Sequence, residues 1–108
     1  ESVRKAQIQL KAKELSPKIM IDCSHGNSNK DHRKQTEVFE EVIRQIKNGN
    51  NNIIGTMIES NLNEGRQSIP HNLANFDVKK LRYGTSITDS CISWKETEAL
   101  LLNTYESL

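Results

Sequence analysis

Residues 19–35, IMIDCSHGNSNKDHRKQ, decide how this chain reads. Ile19, Met20 and Ile21 are apolar without period-two alternation, the pattern of a strand covered on both faces, as in parallel sheets. The run stops at Asp22, Cys23, Ser24 and His25, groups able to bind a metal or an anion. Gly26, Asn27, Ser28 and Asn29 then form a polar turn, and a helical pattern opens near Asp31. At the carboxyl end of parallel strands loops converge and helix N-termini point inward, so ligand chemistry gathers there.

Working outward, residues 1–15 space Val3, Ala6, Ile8, Leu10 and Leu15 among good helix formers, and Ser16-Pro17 is expected to end that helix. The first strand covers about 18–23. Val38, Phe39, Val42, Ile43 and Ile46 step by three and four, predicting an amphipathic helix from Asp31 to about Asn48, stopped by Gly49. Residues 53–58 read as a second buried strand ending at Glu59. Residues 61–84 are irregular, with at most a helical turn near 75–81; a loop of that length is usually functional or mobile. A third strand is expected over 85–91, and a last helix over 94–105 with Leu100, Leu101, Leu102 and Tyr105 toward the core. The order α, β, α, β, long loop, β, α describes an α/β chain with about three parallel strands.

His25, Glu59 and Asp89 recur where an apolar run stops, 34 and 30 positions apart, about one βα unit each. Neighbouring strands lie about 4.8 Å apart, so one imidazole and two carboxylates at the same rim can converge on one ion. Such a set suits Mn, Fe, Co or Zn better than the all-oxygen shells of Ca or Mg. The same spacing also accommodates three ordinary polar strand ends facing solvent. His32 and His71 have no evident partner in the sequence and read as surface residues.

In 108 residues, a net charge of +1, from 15 basic and 14 acidic side chains, argues against bulk binding to nucleic acid or an acidic membrane. There is no 18-residue apolar run, and Cys23 and Cys91 form no C-x-x-C pair. A cytoplasmic protein with reduced thiols is expected, Cys23 packed in the core and Cys91 near the site or buried. The length supports one domain with a modest core.

DCSHGNSNKDHRKQ (22–35), IIGTMIESNLNEGRQ (53–67) and YGTSITDSCISW (83–94), in this order, closely resemble the type I, metal-dependent 3-deoxy-D-arabino-heptulosonate 7-phosphate (DAHP) synthases. The resemblance implies a (β/α)8 barrel, which needs around 250 residues to close, so the chain is expected to be a C-terminal fragment, about the last third, of an incomplete barrel. It implies condensation of phosphoenolpyruvate with erythrose 4-phosphate, the first step of the shikimate pathway. It also implies a divalent metal held by His25, Glu59 and Asp89, with a fourth ligand, a cysteine, from an earlier strand. His25 and Asp89 are the implied catalytic residues, and Lys30 and Arg66 are local candidates for substrate phosphate. Ser90 and Ser93 stand where the family usually has alanine and glycine. An unpaired barrel edge would favour a homo-oligomer. The competing expectation is an inactive fragment that only binds metal or phosphate, or serves as an interaction surface.

Overall fold

A computed structural model describes residues 1–108, and its elements follow the capping chemistry of the sequence. Helix α1 (Ser2–Ala12) ends through the Glu14 N–H to Lys11 carbonyl and Leu15 N–H to Leu10 carbonyl bonds, with Glu14 at a left-handed φ of 57°. That paired closure ends the helix several residues before Ser16-Pro17, so the proline is not its terminator. Helix α2 (Gln35–Lys47) closes the same way, the Gly49 and Asn50 N–H groups bonding back to Ile46 and Gln45, with Gly49 at φ 100°. Helix α3 (Trp94–Ser107) is capped by Ser93 Oγ, which accepts from the Glu96 N–H at 3.2 Å. Ser93 is thus a helix cap.

Strands β1 (Ile19–Asp22) and β2 (Ile53–Met57) pair in parallel, with Ile21 opposite Thr56 and Asp22 opposite Met57. Helix α2 makes the crossover between them. A second parallel pair joins β3 (Ser60–Asn61) to β4 (Ile92–Ser93). The result is α/β, with two small parallel sheets rather than one. The strand expected over 85–91 does not form. Only single bridges link Arg66 to Ser86 and Gly65 to Cys91, and Ser86 Oγ takes the Thr88 N–H at 3.2 Å, a local bond that diverts the backbone from a ladder. One helical turn, Val78–Lys80, interrupts the long loop. Gln67 ties that loop together: its amide donates to the Arg82 and Thr85 carbonyls, and its oxygen accepts from the Arg82 N–H.

The core is small: Cys23, Phe39 and Leu100, with Val38, Ile43 and Ile58 packed against them. Leu101, Leu102 and Tyr105 are exposed, so α3 turns only Leu100 and Thr97 inward, and α1 buries no residue. The expectation of strands covered on both faces also fails, because Met20 is 62% and Ile54 64% exposed. One face of the β1–β2 pair packs on α2 and the other is open. The chain is accordingly a slab of 54 × 35 × 18 Å, with a radius of gyration of 17.4 Å against about 13 Å for a closed domain of this length. No helix is long and apolar enough to cross a membrane.

Gln35, 1% exposed, opens α2 and clamps the link between the two sheets: its oxygen accepts the Glu59 N–H at 2.9 Å and its amide donates to the Glu59 carbonyl at 3.2 Å. Gln35→Ala leaves the Glu59 N–H without a partner and should lower stability by about 1–3 kcal/mol. Urea unfolding reads this as a reduced midpoint, and an unchanged midpoint would show that the clamp is dispensable.

Candidate metal centre

The site begins three residues past the end of β1. His25 takes a left-handed φ of 50°, a conformation few side chains adopt, which turns the chain sharply into the helical turn His25–Ser28. Asn29 and Lys30 are also left-handed, and the Lys30 N–H closes the loop on the His25 carbonyl at 2.7 Å. The imidazole is thereby aimed across the ends of β1 and β2. Glu59 sits in the two-residue link between β2 and β3, held there by Gln35 and by the Ile92 N–H, which bonds its carbonyl at 3.0 Å. Asp89 arrives from the bend before β4, not from the end of a strand.

These three side chains meet: one donor atom from each of His25, Glu59 and Asp89 lies within 4.8 Å of the others. His25 Nε2 is 3.1 Å from Asp89 Oδ2 and 3.3 Å from Glu59 Oε1. Two ligands on an ion at metal–donor distances near 2.1 Å lie about 3.0–3.4 Å apart, so the spacing fits neighbouring corners of a coordination shell. The other ring nitrogen is already committed, since Nδ1 is 2.9 Å from Asp22 Oδ2. A carboxylate can only accept, so the Nδ1 proton belongs to that bond, and Nε2, beside the acidic pair, is the nitrogen left to take a proton or a metal ion. Ser24 fixes Asp22 in turn, giving it both its N–H, at 2.8 Å, and its Oγ–H, and the Asn27 amide bonds the Asp22 carbonyl at 2.6 Å. This carboxylate–histidine pair is the support that metal-binding imidazoles ordinarily receive.

The electrostatics agree. Hydrogen bonds to Asp22 and then Asp89, aided by the Glu59 charge, hold the His25 imidazolium above the usual imidazole range. Burial pushes the Glu59 carboxyl up and the Asp89 and Asp22 charges add to it, against the opposing effect of His25. For Asp22, burial raises the pKa, but the bonds from Ser24 and His25 outweigh it and the net shift is down. Without a cation, a proton on His25 balances the acidic pair. A divalent ion would fit in place of that proton.

Around the trio lies a cleft of about 130 Å³ lined by polar groups, including Lys30, His32, Gln35, Arg66 and Ser90. Lys30 and Arg66 therefore reach the same cleft as the metal candidates. His32, expected on the surface, is largely covered and bonded to Ser90, whereas His71 is exposed as expected. Cys23 is fully buried, with its thiol pushed up to about 11 by burial, and Cys91 is buried with its Sγ 3.6 Å from the Asp89 carbonyl. Both thiols are free. The sequence places Asp22 and Ser24 in the polar cluster without a supporting role for either, and gives no site signal for Gln35 or Ser90. Asp22 stands beside His25 in the quoted stretch, and its i, i+3 spacing was the available signal.

Nuclear magnetic resonance should place the His25 midpoint above 6.5, its ordinary value, and Asp22→Asn should lower it. The folded chain holds this proton more tightly than the unfolded one. Its stabilising effect is therefore complete below pH 6.5 and is lost as pH rises through the folded midpoint. A midpoint that ignores Asp22→Asn would contradict the carboxylate support.

The sequence model of the DAHP synthetase I family matches residues 1–102. The Tyr-sensitive phospho-2-dehydro-3-deoxyheptonate aldolase of Escherichia coli is 52% identical over 94 residues, which cover 87% of this chain and 25% of that protein. The tyrosine-inhibited enzyme of Schizosaccharomyces pombe is 48% identical over 101 residues, 94% of this chain and 27% of that one. Among solved structures, a phospho-2-dehydro-3-deoxyheptonate aldolase from Francisella tularensis superposes with a TM-score of 0.81 at 43% identity, over 96% of this chain and 28% of that chain. The chain thus spans about a quarter of the length of these relatives. On the match over residues 1–102, this chain belongs to the DAHP synthetase I family.

Proposed function

We propose that the chain forms the C-terminal βα units of a (β/α)8 barrel. It would carry part of the active site of a DAHP synthase, which joins phosphoenolpyruvate to erythrose 4-phosphate and releases phosphate. The observation that carries this reading is the convergence of His25, Glu59 and Asp89, with the Nδ1 of His25 already bonded to Asp22. The names of the relatives and the family match support the same reaction.

His25 Nε2 and one oxygen each of Glu59 and Asp89 would hold a divalent Mn, Fe, Co or Zn ion, with a further ligand from outside this chain. When bound, such an ion polarises the aldehyde oxygen and stabilises the negative charge that grows there as the new carbon–carbon bond forms. Asp22 keeps the His25 ring in the ligand tautomer. Asp89, the most exposed of the three, would be the one to meet the aldehyde substrate. Lys30 and Arg66 balance phosphate charge in the cleft, since neither is spent on an ion pair. The open face carrying Met20 and Ile54 favours association with other barrel strands or with a second copy.

Cobalt(II) titration of the chain should show Asp22→Asn binding about 10–100-fold more weakly than the native sequence, and equal affinities would remove the support role. The function itself is tested by following phosphoenolpyruvate consumption with erythrose 4-phosphate and manganese. The assay compares this chain with one extended upstream to the length of its relatives. The extended protein should turn over, and His25→Ala in it should cost at least about 100-fold. No turnover in the extended protein would overturn the proposal, as would full activity in its His25→Ala variant.

A further inference from the structure

His32 takes no part in the metal trio, yet the fold gives it a defined place. Its Nδ1 lies 2.6 Å from Ser90 Oγ, and only 17% of its side chain remains exposed. Nε2 faces the cleft rim, where Glu64 Oε2 stands 3.5 Å away, longer than an ordinary hydrogen bond. The ring is therefore fixed through one nitrogen and open at the other. If Ser90 donates to Nδ1, the ring proton resides on Nε2, which becomes a directional donor into the cleft.

The neighbours of that donor are cationic. Lys30 and Arg66 line the cleft together with His32, and Arg82 joins the three on its outer lip. None of these cations is in an ion pair. A carboxylate already occupies the approach to Nε2, and it belongs to a side chain 68% exposed, so an oxyanion fits there and Glu64 is free to yield the position.

We propose that His32, clamped by Ser90, is a ligand-binding residue of the cleft. Its Nε2–H, with Lys30 and Arg66, forms a wall that takes the phosphate group of a phosphorylated ligand whose other end reaches His25, Glu59 and Asp89. A directional donor beside two cations matches a dianionic oxyanion, because charge-assisted bonds are the strong ones in a half-covered site. The inference rests on reading the cleft as a site for a metal and a phosphate ester, and it adds the residue that recognises the phosphate end.

The test titrates inorganic phosphate into the chain, followed by calorimetry or phosphorus resonance, and titrates cobalt(II) into the same samples. His32→Phe should weaken phosphate binding about tenfold, the loss of one charge-assisted bond, and leave cobalt(II) affinity unchanged. His32→Gln, which restores an N–H near the Nε2 position, should recover part of the loss. Glu64→Gln should tighten phosphate binding, because it removes the competing carboxylate. Nitrogen resonance should show the Nε2–H tautomer of His32 in the native chain and a mixture in Ser90→Ala, with weaker phosphate binding. Equal phosphate affinity in the native chain and His32→Phe would overturn the inference, as would a Glu64→Gln chain that binds phosphate no tighter. Loss of cobalt(II) binding by the native chain would overturn the metal reading alone, since the phosphate titration decides the role of His32 separately.

Discussion

The backbone of one residue, Glu59, holds this structure in register. The Glu59 backbone lies between the two parallel pairs, and three hydrogen bonds fix it: two reciprocal bonds with the Gln35 side chain and one from the Ile92 N–H. Gln35 starts α2, Ile92 starts β4, and Glu59 follows β2, so elements from both sheets and the crossover helix are tied to the two amides that flank one residue. The cost of leaving such a buried group unpaired makes the arrangement specific. A metal donor hangs from each part of it. Glu59 is on the clamped peptide itself, His25 is on the loop that leads into α2, and Asp89 precedes β4.

Local strain and charge complete what the clamp arranges. A left-handed histidine is costly, and here it is offset by the Lys30 N–H bond and by the pairing of His25 with Asp22. Three carboxylates stand around one imidazole, which favours a cation at Nε2, either a proton or a divalent ion. The same cleft is also lined by Lys30, His32 and Arg66. A cleft that holds both an acidic pair and basic side chains suits a ligand that carries an anionic group and a metal-binding oxygen.

The rest of the fold is thin. Three residues make the central cluster, α1 buries nothing, and the β1–β2 pair leaves Met20 and Ile54 in the open. An apolar strand face gains its stability against a second layer, and in this chain that face is left uncovered. Backbone hydrogen bonding and side-chain clamps therefore carry a larger share of the order near the site than apolar burial does. Gln35 and Gln67, both buried and both bonded to backbone groups, are the clearest cases.

Much of this was determined by the sequence alone. Three- and four-residue apolar steps placed α2, Gly49 ended it, apolar runs placed β1 and β2, and the recurring polar ends of those runs picked out His25, Glu59 and Asp89. Only the tertiary structure decided the rest, because it depends on what lies beside each residue in space. The stretch 85–91 has strand-like composition, but it met only single partners and became a bend that still delivers Asp89. His32 looked partnerless until the fold brought Ser90 to it across 58 positions, and Gln35 looked like an ordinary first-turn residue until Glu59 arrived 24 positions later. Periodicity records how a segment meets a core. It carries no record of which distant polar group will complete a hydrogen bond, and those bonds are what shape this cleft.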